Sequence, residues 1–172
     1  MAFNTMEDKK FLTVMAVLDN RTQRAMGDIQ SALIAKVGDG TQTMGIPFHI
    51  TLGSYSTDEL DSVMERVREA ANVTKPFDIR ILGQDSFGDK VLFLKPEKSE
   101  ELLRLRAYFE NDYALGYEWT PHATLICGEA EQVRSARELV CTLDLPPKAT
   151  VVGIELGEFF PPKKVIRIDF TN

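Results

Sequence analysis

Pro121-His122-Ala123-Thr124-Leu125 and, earlier in the chain, Pro47-Phe48-His49-Ile50-Thr51-Leu52 are two versions of one pattern. In each, a histidine is followed two places later by threonine and three places later by leucine. The two segments contain both histidines of the 172-residue chain, 73 positions apart. Each segment reads as a short strand, and strand side chains alternate between faces. His49 and Thr51 then point one way and Ile50 and Leu52 the other. In the second copy, His122 and Thr124 share a face, with Ala123, Leu125 and Cys127 opposite. The apolar set calls for cover by helices, and the His/Thr set belongs to a groove.

Working outward, the chain repeats its order around these strands. From His49 it runs strand, helix, strand, turn, strand to Leu94, and from His122 the same order ends at Phe170. Lys90 and Lys164 open the last strand of each unit, 41 and 42 residues after their histidines. A helix also precedes each histidine strand. This order reads as an internal duplication, about 11–94 and 91–170, within a single bilobal domain spanning 1–172. The expected architecture is α+β, with a pseudo-twofold relating strand–helix units. Two antiparallel sheets would line a central groove, with helices on their outer faces.

The local signals behind that reading are specific. Phe11–Leu18 is an apolar run expected as a buried strand. Asp19 and Asn20 offer caps to a helix carrying Ala25, Ile29 and Leu33 to about Ala35. The Gly-rich stretch Val37–Gly45 lacks a phosphate-loop lysine and reads as a connector that could rim a site. After the first histidine strand (47–53), Ser56 and Glu59 form a capping box for a helix with Leu60, Val63, Met64 and Val67 inward, to about residue 71. Phe77–Leu82 alternates as a strand, and GQDSFGDK is expected as a long loop leading to Val91–Leu94. A helix over about 96–112 buries Leu102, Leu105 and Phe109. The second histidine strand (120–127) precedes a helix with Val133, Ala136 and Val140 inward, closed by Pro146-Pro147. Strands near 149–157 and 164–170 flank the Pro161-Pro162 turn.

Composition narrows the function classes. A hydrophobic content of 44% supports a full core, and no run approaches the ~18–20 apolar residues of a membrane span. The start, MAFNTMEDKK, carries acids and no apolar signal core, so no secretory signal is expected. Cys127 and Cys141 have neither metal-type nor redox-type spacing, which fits reduced thiols in a cytoplasmic protein. A monomer is expected. The net charge of −6 and pI near 5.0 argue against broad binding to long nucleic acid and leave an RNA end, a short oligonucleotide or a nucleotide as partners.

The paired motif is suited to phosphodiester chemistry. An unperturbed imidazole titrates near ~6.5, so one histidine can be neutral while its partner is protonated. The neutral one removes a proton from the attacking oxygen, and the protonated one supplies a proton to the leaving oxygen. The hydroxyls of Thr51 and Thr124 can hold non-bridging phosphate oxygens. No metal or cofactor is called for, since two histidines without carboxylate or thiolate partners make a poor zinc site. Tyr55, Phe87 and Trp119 are the candidates for stacking on a base, with Tyr117 a further aromatic close by. Phe48 and Trp119 also alternate with the histidines, as core or interface residues do. Lys10, Arg80, Lys90, Lys164 and Arg167 are the cations that could add phosphate contacts.

At His49-Ile50-Thr51 and His122-Ala123-Thr124 the chain resembles the 2H phosphoesterase superfamily, which includes 2′-5′ RNA ligase-like proteins and RNA 2′,3′-cyclic phosphodiesterases. The resemblance extends over nearly the whole chain through motif spacing and element order. It implies a bilobal α+β fold and a metal-independent phosphodiesterase that opens a 2′,3′-cyclic phosphate on RNA ends or nucleotides. It further implies His49 as acid at the leaving oxygen and His122 as base activating water. A 2′-5′ phosphodiesterase or ligase activity, or a non-catalytic nucleotide-binding module, are the alternatives. Basic residues often flank the motifs in RNA cyclic phosphodiesterases. The flanks here, MGIPFHITLGSY and YEWTPHATLICGE, contain none.

Overall fold

An apolar run broken only by Thr13 makes Phe11–Leu18 (β1) a strand buried along nearly its whole length. Such a strand needs neighbours on both edges. It has β2 (His49–Ser56) on one side and β6 (Lys148–Phe159) on the other, both antiparallel. In the computed structural model, which describes residues 9–110 and 118–172, the remaining strands extend this set. They are β3 (Phe77–Phe87), β4 (Val91–Pro96), β5 (Ala123–Cys127) and β7 (Lys163–Asp169). The path runs β2-β1-β6-β3-β4-β5, with β7 on β6, and every pairing is antiparallel. The two expected sheets are therefore joined. Strand β3 pairs with β6 through Phe77–Arg80 and with β4 through Ile81–Phe87, so one long strand belongs to both.

Four α-helices are present among the described residues: α1 (Asn20–Val37), α2 (Leu60–Val73), α3 (Glu100–Ala107) and α4 (Ala130–Val140). Each begins where the sequence offers a start signal or a break. Asp19 caps α1 by accepting from the Thr22 amide, and Ser99 caps α3 through the Leu102 amide. The Ser56/Glu59 capping box is formed, although it opens a 3-10 turn (Thr57–Glu59) that runs on into α2. Buried positions recur at helical spacing, as in Met26, Ile29 and Leu33 of α1 and Val133, Ala136 and Val140 of α4. Helix α1 packs on α4 and β5, α2 on β6 and β7, and α3 on β2, around a single continuous core.

Two local expectations change. The stretch expected as a long loop, GQDSFGDK, is mostly strand: β3 continues to Phe87 and turns at Gly88, whose φ of 52° suits glycine. The helix expected over 96–112 is shorter, Glu100–Ala107, because Ser99 delays its start; buried Phe109 follows it. Its expected end at Asp112 lies outside the described residues.

One irregularity occurs twice and shapes the site. Along β1 and β2, Val14 pairs with Gly53 but Met15 pairs with Thr51, so Leu52 is an extra residue, a β-bulge. Along β4 and β5, Leu92 pairs with Ile126 but Phe93 pairs with Thr124, so Leu125 is the extra residue. The leucine of each His-x-Thr-Leu motif thus sits at a bulge. An extra residue reverses the alternation beyond it. Before each bulge the expected faces hold, with Ile50, Leu52, Ala123 and Leu125 all fully buried. After it, Tyr55 and Ile126 turn into the core, while Ser54 and Cys127 take the groove side. The expectation that Cys127 lies opposite Thr124 is corrected for this reason.

Candidate active site

His49 opens β2, and His122 is the residue immediately before β5. These strands lie at opposite ends of the path, yet they touch, so the strand system curls until its two edges meet. Both histidines are half-buried, and both are anchored alike. His49 Nδ1 lies 2.8 Å from the Pro47 carbonyl oxygen, and His122 Nδ1 lies 2.9 Å from that of Thr120. A carbonyl oxygen only accepts, so each Nδ1 carries hydrogen and donates it. Each Nε2 is left for the chemistry.

The surroundings lower both basicities. Burial holds the His49 imidazole below its ordinary value, the Pro47 carbonyl opposes this, and positive charge on His122 lowers it further. Burial likewise lowers His122, against the Thr120 carbonyl. The electrostatic coupling means the two rings do not readily carry protons together, so a singly protonated pair is favoured. That is the charge state an acid–base pair needs.

His49, Thr51 and Thr124 line one cavity of about 290 Å³, with Cys127 beside Thr124. Strands β2 and β5 thus supply hydroxyls to a single space. His122 is not among the residues that line this cavity; it is set against aromatic rings, with Phe87 edge-on at 4.7 Å between ring centres and Phe93 at 5.4 Å. Phe93 stands directly across from Thr124 in the β4–β5 pairing, which places it under His122 on the groove side. The loop between α1 and β2 does form a rim. It is tied to β5 by the Thr41 amide on the Cys127 carbonyl (2.8 Å) and by Gln42 accepting from the Cys127 amide (3.2 Å). Gly40 is required there, because a Cβ would lie 2.3 Å from the Cys127 carbonyl oxygen.

The aromatic candidates fare differently. Tyr55 is 1% exposed, its hydroxyl donates to the Phe109 carbonyl at 2.7 Å, and Arg66 lies over its ring. It is a core residue, turned inward by the Leu52 bulge, and is not available to a substrate. Trp119 is half-buried and donates its indole N–H to the Thr51 carbonyl at 3.0 Å, with Arg106 over its face. It ties the flank of the second motif to the strand of the first and is not part of the cavity lining. Phe87 is exposed and lies against His122, and like His122 it is not among the residues lining the cavity. Tyr117 lies outside the described residues. The cations do not line the cavity either: Lys10, Arg80 and Lys90 pair with Glu158, Glu97 and Glu129, and Arg167 with Asp169.

Sequence reading missed Cys127, Thr13, Gln42 and the three rings Phe11, Phe159 and Phe160, all of which border the cavity. A signal for Cys127 was present in Leu125-Ile126, two adjacent apolar residues that break the strand's alternation. Phe159 and Phe160 carried no motif, since their position depends on how β6 ends beside β1.

Residues 35–158 match the model of the 2′-5′ RNA ligase superfamily. A Staphylococcus haemolyticus (strain JCSC1435) protein named "Putative phosphoesterase SH1944" is 28% identical over 129 residues, which is 70% of this chain and 72% of that one. The fold is similar to TT0787 of Thermus thermophilus, with a TM-score of 0.65 and 18% identity over 93% of this chain and 97% of the other. It is also similar to E. coli LigT, with a TM-score of 0.62 and 14% identity over 95% and 98%. LigT has crystal structures with 3′-AMP and with phosphate.

Proposed function

This chain belongs to the 2′-5′ RNA ligase superfamily, and from that premise we propose that it is a phosphodiesterase opening 2′,3′-cyclic phosphates on RNA ends or nucleotides, with His49 and His122 as its acid–base pair. The observation that carries the reading is the matched anchoring of the two imidazoles. Each Nδ1–H is held by a carbonyl two residues earlier, which leaves the Nε2 atom of each ring outside that bond. The nucleotide and phosphate complexes of the similarly folded LigT fit a substrate of this kind.

In the proposed reaction His122 Nε2 takes a proton from water as its oxygen bonds to phosphorus. His49 Nε2–H gives a proton to the ribose oxygen that leaves as its bond to phosphorus breaks. The product is a nucleotide or RNA-end phosphomonoester; before the next turnover His122 releases its proton to solvent and His49 takes one up. The assignment of acid to His49 and base to His122 follows the family resemblance. Thr51 and Thr124 hold the non-bridging oxygens, whose negative charge must be stabilised through the transition state. No group of three or more His, Cys, Asp or Glu able to hold a metal ion occurs among the described residues. The proposed chemistry needs only the imidazoles and hydroxyls, so turnover should survive a chelator.

The test is a panel of nucleoside 2′,3′-cyclic phosphates and 2′-5′ dinucleotides, assayed with and without chelator. Turnover of the cyclic compounds, lost in H49A and in H122A, is expected. Full activity of the double alanine variant would end the catalytic assignment. Affinity without turnover on any compound would make the groove a binding module.

A further inference from the structure

The cavity beside His49 contains no Lys, Arg, Asp or Glu among the described residues that line it. Apart from the imidazole, its polar groups are the neutral hydroxyls and amides of residues such as Thr13, Thr51, Thr124, Gln30 and Gln42. Another part of its wall is aromatic. Phe11 of β1, Phe159 at the end of β6 and Phe160 in the following turn form a three-ring cluster, with centres 5.4 to 5.8 Å apart. Phe160 remains 58% exposed and Met44, on the α1–β2 loop, 57% exposed, although both border the cavity. Large apolar side chains left in water at a site's mouth gain most when a ligand covers them.

Charge and size constrain that ligand. One phosphodiester carries one negative charge, which a protonated imidazole balances. A second phosphate inside the same space would be desolvated with no cation to meet it, a costly arrangement. The chain's net charge of −6 adds repulsion at longer range. A volume of about 290 Å³ lies at the small end of ligand pockets and suits a single nucleotide.

We propose that Phe11, Phe160 and Met44 form a subsite for a planar, uncharged group, and that the cavity selects small phosphodiesters bearing one negative charge, nucleoside cyclic monophosphates, over substrates with a second phosphate. This rests on the cyclic phosphodiesterase reading and narrows it from RNA ends to mononucleotides. Phe160 and Met44 are specificity residues; the reacting phosphate lies on His49, Thr51 and Thr124.

Three substrates separate the contributions: adenosine 2′,3′-cyclic monophosphate, its 5′-phosphorylated counterpart, and the cyclic phosphate of methyl riboside, which lacks a base. The wild-type kcat/KM is expected to fall at least tenfold on adding the 5′-phosphate. F160A should raise KM for the adenosine compound about tenfold, within the range for loss of a base-stacking contact, and M44A should raise it to a smaller extent through lost apolar cover, each with kcat within about twofold. Neither variant should alter turnover of the base-free compound. Equal or faster turnover of the 5′-phosphorylated substrate would overturn the proposal, as would equal effects of F160A with and without a base. If no cyclic phosphate is turned over at all, the parent reading fails separately. Calorimetric titration with adenosine 2′,3′-cyclic monophosphate then decides the subsite: about tenfold weaker binding to F160A supports it, and equal binding overturns it.

Discussion

At the scale of single residues, the two threonines and Tyr55 make opposite predictions. Thr51 and Thr124 line the cavity, so replacing either by valine removes a hydroxyl while keeping a similar shape. Loss of one preorganised donor to a charged transition state costs about 10²–10³ in rate. T51V and T124V are expected to lower kcat by up to that factor with little change in thermal stability, read by steady-state kinetics and a melting curve. Y55F should do the reverse. It strands the Phe109 carbonyl in the core, where an unpaired acceptor costs about 1–3 kcal/mol. For a chain of this length that is a drop of ~2–4 °C in Tm per kcal/mol, with KM unchanged. A KM effect in Y55F without destabilisation would restore Tyr55 to the groove.

At the scale of elements, most of the secondary structure was legible because local chemistry and tertiary need agree. Phe11–Leu18 matches its strand to the residue, and the caps at Asp19 and Ser56/Glu59 mark real helix starts. The histidine and threonine faces followed from alternation alone. Alternation failed beyond Leu52 and Leu125, since a bulge depends on the partner strand's register, and partner strands lie far away in sequence. That cause misplaced Cys127, whereas Tyr55 was expected in a loop because the strand, read to residue 53, in fact runs on to Ser56. The bulge makes a checkable claim about thiol chemistry. Cys127 is half-buried at the cavity, with its thiol pushed up by burial, whereas Cys141 is exposed. Maleimide should therefore label Cys141 first, and saturating phosphate should protect Cys127 alone. Protection of neither thiol, or of both, would contradict the placement of Cys127 beside the site.

For the molecule as a whole, the curling of a single strand path is what brings distant residues together, and sequence symmetry only hinted at it. Two matching units suggested two facing lobes; the shared strand β3 and the contact of β2 with β5 came from pairing geometry. The enclosure that follows sets the pH response. Both histidines titrate below their ordinary ~6.5 because burial opposes their charge. The proposed reaction needs one protonated and one neutral ring, so kcat/KM should be bell-shaped with its maximum below about pH 6.5. A bound phosphate anion favours the imidazolium, so the kcat profile should sit at higher pH than that of kcat/KM. The same shifts act on stability. A histidine whose folded pKa is depressed contributes stability above its unfolded value, and this is lost as pH falls through the folded one. Unfolding midpoints should therefore drop on going from pH 7 to pH 5, and less so when both histidines are replaced by asparagine.

The central claim is that His49 and His122 act on one phosphate, and a crystal structure of the protein with inorganic phosphate tests it most directly. The account predicts a single phosphate with oxygens within hydrogen-bonding distance, about 2.7–3.2 Å, of both Nε2 atoms and of the Thr51 and Thr124 hydroxyls. A phosphate held by only one histidine, or bound elsewhere with the cavity left to solvent, would contradict it.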